Sequence, residues 1–256
     1  MDIFKYNSRA WDQEVAKGSA WSIPVSPEQV AEAKSGSVKI ILSPSKPVPS
    51  HWLRDLSGKS ILCLASGGGQ QGPILAAAGA DVIVLDASTE QLKKDDMVAQ
   101  RENLHLRTVH GDMRDLKDFA NESFDLIVNP PSNCFIPDVK PVWREAYRVL
   151  RHGGYLLSGF NNPISYCFDP LLSSEGILQL KYGVPYSDLT TLSSLERQKY
   201  LDRNEPLEFG HTLEDQIGGQ TEVGLVITGF YEDKWGNGNI EDKYFPHFMV
   251  TRALKP

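Results

Sequence analysis

The chain has 256 residues, 41% of them hydrophobic and 23% charged, with a formal net charge of −7. That length and apolar share suit one large α/β domain with a sizeable core, and no run of Lys/Arg offers the clustered cations that long nucleic acids or anionic membranes require. No apolar stretch approaches the ~18 residues of a membrane span, and no apolar leader follows Met1, so the expected location is the cytoplasm.

The first fifty-odd residues read as irregular apart from one helix. Ser26-Pro27-Glu28-Gln29 is a capping box with Pro at the first helical position, predicting a short helix that ends near Gly36. A Pro-rich connector, Ser43 to Pro49, follows. From Ser60 the pattern alternates strand and helix. Ile61 to Ala65 is a continuous apolar run, as expected of a parallel strand covered on both faces. Gly67 to Gly69 end it and Gln70 to Ala78 look helical. Asp81 to Asp86 is a second strand, and Ser88 with Gln91 caps a helix reaching about Arg101.

A third strand fits Leu104 to Val109 and a fourth Phe124 to Val128. Val139, Val142, Trp143, Ala146, Val149 and Leu150 form one helical stripe, with Gly153 placed at C′ and a fifth strand over Tyr155 to Phe160. Asn162 to Gly219 reads as a turn-rich insertion. Val223 to Tyr231 and Phe248 to Arg252 read as two late strands forming an antiparallel edge. The three cysteines, Cys63, Cys134 and Cys167, lack Cys-x-x-Cys spacing, so reduced thiols and no metal site are expected.

Gly67-Gly68-Gly69-Gln70-Gln71-Gly72 follows a buried strand and opens a helix, letting backbone N–H groups approach a ligand. Asp86 ends the next strand, placed to accept hydrogen bonds from both hydroxyls of a ribose. This arrangement identifies a nucleoside-containing ligand, and an NAD-dependent oxidoreductase or epimerase remains an alternative, as does a non-catalytic adenosyl-ligand binder. Against NAD, no Tyr-x-x-x-Lys is present, and the third strand ends in His110-Gly111-Asp112-Met113. Asp112 offers an acceptor to an adenine amine and Met113 an apolar face to its ring; Asp112 also suits the N-cap of a helix over Met113 to Phe119.

Residues 60 to 160 resemble the class I S-adenosylmethionine-dependent methyltransferase family. The matching strings are Leu62-Cys63-Leu64-Ala65-Ser66-Gly67-Gly68-Gly69, Leu85-Asp86-Ala87-Ser88, Gly111-Asp112-Met113, Phe124-Asp125-Leu126-Ile127 and Glu145 to Gly154. The resemblance implies a Rossmann-like, doubly wound seven-stranded sheet, mostly parallel with an antiparallel C-terminal strand. It places the chain's organisation as an N-terminal lid over residues 1–55, a cofactor-binding core over 56–162, and an insertion plus late strands over 163–256. It also implies S-adenosylmethionine as cofactor and S-adenosylhomocysteine as product. Gly67 and Gly69 then flank the methionine part, with Ser66 and Gly68 in the same string. Asp86 and Ala87 lie at the ribose, and Asp112 and Met113 at adenine.

Two departures stand out. The family often carries an acid where this chain has Cys63, and Gly where it has Ala65. That acid usually helps hold the amino acid end of the cofactor, and Asn129 is the leading substitute here.

The acceptor is expected to be a small molecule. Asn129-Pro130-Pro131-Ser132 resembles the Asn-Pro-Pro-aromatic motif of amino-methyltransferases, with Ser132 in place of the aromatic; the plainer reading is a Pro-rich loop ending a strand. Asn129, Tyr166 and His211 are the candidates for the acceptor pocket. Trp21, ahead of Trp11, is the candidate to cover the cofactor, while Trp52 reads as core.

Overall fold

In the computed structural model, which describes residues 1–236 and 238–256, the unbroken apolar run after Lys59 becomes β1 (Ser60–Leu64) at the middle of the main sheet. Alternate residues point to opposite faces of a strand. Ile61 and Cys63 therefore enter one core cluster, and Leu62 and Leu64 enter the other. Around β1 run β2 (Asp81–Asp86), β3 (Leu106–His110), β4 (Phe124–Asn129) and β5 (Leu150–Asn161), all parallel. A two-stranded ribbon, β6 (Tyr186–Ser187) with β7 (Phe209–Gly210), stands apart from the sheet. The last strands are β8 (Val226–Asp233) and β9 (Phe248–Leu254).

The seven-stranded order is β3-β2-β1-β4-β5-β9-β8. The two late strands form an antiparallel pair at one edge of the sheet. β9 inserts between β5 and β8 and is antiparallel to both, so it alone opposes the rest.

The helices are α1 (Ile3–Ala16), α2 (Pro27–Lys34), α3 (Gln71–Ala77), α4 (Thr89–Glu102), α5 (Lys140–Val149), α6 (Pro170–Ser174), α7 (Ser194–Arg203) and α8 (Gly219–Glu222). The Ser26–Gln29 capping box opens α2, and α5 buries Val142, Trp143, Ala146 and Val149 along its stripe. None of the described helices is long and apolar enough to cross a membrane.

Three sequence expectations are corrected. Residues 3–16 are helical, with Asp2 accepting the Lys5 amide at the N-cap. Asn7, a polar residue on the buried face of α1, hides the apolar periodicity. It is tolerated because its Nδ2 donates to the carbonyls of Phe135 and Leu207, and its Oδ1 accepts the Leu207 amide, leaving no buried polar atom orphaned. Residues 113–119 form turns rather than a helix, since the Asp112 carboxylate bends the chain back onto the Arg114 amide. Gly153 is not a helix C′ residue. The chain passes from α5 straight into β5, and Gly153 (φ +78°) lies where β5 skips residues between its pairings with Phe124 and Leu126, a bulge that glycine accommodates.

Candidate active site

The site begins at the turn after β1. Ala65, where the family resemblance expects Gly, adopts φ +48°; a side chain there costs on the order of 1–2 kcal/mol, which explains the glycine preference. The following amides are held by two carboxylates. Gly67 N donates to Asp86 Oδ2 at 2.8 Å, and Ser88 N donates to Asp86 Oδ1 at 2.8 Å. Gly68 N and Gly69 N both donate to Asp95 Oδ2, at 2.9 and 3.0 Å. A Cβ on Gly68 would lie 2.6 Å from the Trp21 carbonyl oxygen and one on Gly67 2.7 Å from the Gln91 Cβ, so neither position admits a side chain.

Asp95 lies on α4, fully buried, and burial pushes its carboxyl well above the usual range. Its charge, after burial, also pushes up the thiol of Cys63. The buried carboxylate that acts on Cys63 in β1 thus comes from α4, the helix after β2. Asp95 binds the loop and does not itself border the cavity. Its position inside the polar-looking stretch Lys93-Lys94-Asp95-Asp96 gave no sign of this role.

A cavity of about 720 Å³ opens over the C-terminal ends of the parallel strands, where open α/β sheets bind ligands. Ser66, Gly67, Asp86, Ala87, Asp112 and Met113 border it, as do Trp21 and Tyr166. Four other candidates do not. Gly68 and Gly69 face Asp95. Asn129 is fully buried, donating to the Leu64 carbonyl and the Ser132 hydroxyl and accepting the Ser158 hydroxyl; its hydrogen-bonding capacity goes to tying β1, β4 and β5 together. His211 is buried against the Asn133 carbonyl through Nε2, 2.9 Å away. Both are structural where pocket roles were expected. Asp112 borders the cavity but is forked by Arg114, with Nη2 to Oδ2 at 2.6 Å and Nε to Oδ1 at 3.0 Å.

Helix α1 roofs the crevice. The Ser8 hydroxyl donates to the Ala87 carbonyl, and Asp12 Oδ1 accepts the Ser88 hydroxyl and the Glu90 amide at the start of α4, where an anion suits the helix dipole. Phe4 and Trp11 border the cavity, and Gln70 Nε2 clasps the carbonyls of Ala20 and Ile23, holding the Trp21 segment on the glycine turn.

The far end of the cavity is built by the insertion. Tyr166 donates to Glu208 Oε2 at 2.8 Å and accepts from Asn161 Nδ2 at 2.9 Å. Tyr186 donates to Asp188 Oδ1 at 2.7 Å, and the Glu208 amide donates to Asp188 Oδ2 at 2.7 Å. Part of the Glu208 surface borders the cavity, yet the surrounding protein removes enough water to push its carboxyl up to about 7. Glu208 and Asp188 carried no sequence signal, because the ribbon that positions them is two residues long on each side.

Residues 62–158 match the family described as Methyltransferase domain. Over 253 residues the chain is 49% identical to the uncharacterized methyltransferase YbaJ of Bacillus subtilis (strain 168), covering 99% of this chain and 98% of that one. The chain belongs to the class I S-adenosylmethionine-dependent methyltransferases. Solved methyltransferases share the fold. The geranyl diphosphate C-methyltransferase of Streptomyces coelicolor A3(2) superposes with a TM-score of 0.61 at 12% identity, over 100% of this chain and 99% of that one. The 1,6-didemethyltoxoflavin-N1-methyltransferase of Burkholderia thailandensis gives 0.60 at 12% identity, over 98% and 87%.

For this methyltransferase, replacing Asp95 separates packing from hydrogen bonding at the glycine turn. Asp95→Ala leaves the Gly69 amide unpaired and the Gly68 amide with only the Gln91 carbonyl at 3.1 Å. An unpaired buried amide costs about 1–3 kcal/mol, and unfolding stability in urea titrations should fall by about that much. Asp95→Asn keeps an acceptor and cannot ionise, so it should cost much less. Equal losses for the two variants would remove Asp95 from its role in holding the turn.

Proposed function

We propose that the crevice between the β1 turn and Asp86 binds S-adenosylmethionine, and that the chamber beyond it admits a small-molecule methyl acceptor. The observation carrying this reading is the Asp86 carboxylate. The Gly67 and Ser88 amides fix its orientation, and it borders the cavity, with His110 the charge that acts on it and no Lys or Arg ion pair among the described residues. Burial pushes it up despite those bonds, so it favours a ligand that brings donors, and a ribose diol brings two. Ala87 and Met113 supply apolar surface beside it for adenine, and Ser66 borders the end where the methionine part would lie. The Asp112–Arg114 fork means that an adenine amine shares Asp112 with a guanidinium rather than meeting a free carboxylate.

Bound there, the sulfonium supplies a methyl group already activated for in-line displacement. The chain's own contribution is position and exclusion of water. Helix α1 and the Trp21 segment cover the crevice, and the tyrosine-lined chamber holds the acceptor against its open end. The geranyl diphosphate and didemethyltoxoflavin enzymes act on small molecules, as their names state, which supports the same class of acceptor here. Family membership favours methyl transfer over the NAD-dependent alternative.

Asp86→Ala removes hydrogen bonds to a charged acceptor, worth about 1.5–3 kcal/mol each. Calorimetry should therefore show S-adenosylhomocysteine affinity reduced at least about tenfold. Unchanged affinity, or NAD binding in place of S-adenosylhomocysteine, would contradict the assignment. Trp21 borders the cavity and its ring centroid lies 6.3 Å from that of Trp235. Adding S-adenosylhomocysteine should change tryptophan fluorescence, and Trp21→Phe should abolish most of the change; a full response in the variant would mean that Trp21 is no part of the cover.

A further inference from the structure

The far chamber is acidic, and its acids are unequally neutralised. Glu205 pairs with Arg203 at 3.1 Å, and Glu241 lies 3.2 Å from the Nε2 of His247, an imidazole that burial holds toward its neutral form. Asp188 and Glu208 have no cationic partner among the described residues. Each is held instead by a tyrosine hydroxyl, and the Glu208 amide links the two. The Glu208 Oε1 takes no hydrogen bond from any described residue. Lys181, the nearby ammonium, turns to Asp169 and Glu196, both at 2.9 Å, and does not border the cavity.

Aromatic faces accompany these acids. Tyr166, Tyr182, Tyr186 and Tyr200 border the chamber, with Tyr166 and Tyr186 stacked at 5.2 Å. Carboxylates without counter-ions are costly in such a setting. Carboxylates beside π-faces are the combination that recognises a desolvated cation.

We propose that the methyl acceptor is a primary or secondary amine, bound as its ammonium ion among these tyrosines, with Glu208 as the base that frees the attacking nitrogen. The inference rests on the methyl-transfer reading above and names the substrate class of that same site. Glu208 takes one N–H proton from the ammonium. The nitrogen lone pair then forms the N–CH3 bond while the C–S bond breaks and its electron pair stays on sulfur. The ammonium and sulfonium charges become one methylated ammonium, a neutral thioether and a protonated Glu208, so charge balances. Tyr166 acts as a positioning residue, orienting Glu208 through its hydroxyl.

The pH dependence follows from the groups around Glu208. Tyr166, Tyr200, Cys134, Asp188 and Glu205 face it, and none is cationic. Burial pushes its carboxyl up to about 7. Ammonium binding requires the ionised form, so amine affinity should rise as pH increases from 6 to 8.

Two matched sets of probes test this on the full chain saturated with S-adenosylhomocysteine. One is tyramine, tyrosol and 4-hydroxyphenylacetate; the other is hexylamine, hexanol and hexanoate. By titration calorimetry or ligand-observed NMR, the amine of at least one set should bind at least tenfold more tightly than its alcohol, with the acid not binding. That preference should grow from pH 6 to pH 8. Glu208→Gln, which still accepts the Tyr166 hydroxyl, should reduce the preference to about threefold or less, remove its pH dependence and leave S-adenosylhomocysteine binding intact. An alcohol or acid binding as well as its amine, no amine binding at all, or an undiminished preference in Glu208→Gln would overturn the inference while leaving the methyl-transfer reading in place. Failure of S-adenosylhomocysteine to bind the wild-type chain would overturn that reading and the inference with it.

Discussion

Three consecutive glycine amides must be satisfied in a turn that also has to leave room for a ligand, and two carboxylates meet that constraint. Asp86, from the end of β2, takes Gly67; Asp95, from α4, takes Gly68 and Gly69. Unpaired, each buried amide would cost about 1–3 kcal/mol, and burying the acids is itself unfavourable, as the raised Asp86 and Asp95 carboxyls show. Both Asp86 oxygens accept oriented N–H donors, whereas Asp95 accepts two on Oδ2 and keeps Oδ1 buried without a partner among the described residues. Asp86 borders the cavity, whereas Asp95 is enclosed, so the proposed ligand contact falls to one of the pair and the other holds the turn.

Everything covering the crevice refers back to that turn. The Trp21 carbonyl sits where any side chain on Gly68 would collide, the Val25 amide bonds to the Gly69 carbonyl at 2.9 Å, and α1 is fastened to the β2–α4 connection by Ser8 and Asp12. Asn7 then couples α1 to the insertion through Leu207, next to Glu208. Asn7, together with the Tyr6 hydroxyl donating to the Glu205 carbonyl, therefore joins α1 to the wall of the far chamber.

The sheet and its strand ends were legible because their signals are local. Continuous apolar runs mark β1, β2 and β4, the capping residues Ser26 and Ser88 mark the starts of α2 and α4, and the stripe from Val142 to Val149 marks α5. The glycine turn and Asp86 could be placed at the cavity for the same reason. What escaped depends on contacts between distant segments. Asn7 breaks the apolar pattern of α1 yet is satisfied by residues 128 and 200 positions away. Asp95 looks like a surface charge until the glycine turn folds onto it. Glu208 and Asp188 are brought together by a ribbon too short to leave a periodic pattern. Asn129 was over-read for the converse reason: a strand-end Asn before two prolines suits a ligand contact and a structural tie equally well, and here its three partners are Leu64, Ser132 and Ser158.

The most direct measurement is a crystal structure of the chain with S-adenosylhomocysteine. The expected result is the ribose on Asp86, adenine beside Ala87 and Met113, the sulfur facing the Tyr166–Glu208 end of the cavity, and the Gly67–Gly69 turn still held by Asp86 and Asp95. A ligand bound away from Asp86, or a turn that releases Asp95 to admit it, would contradict this account.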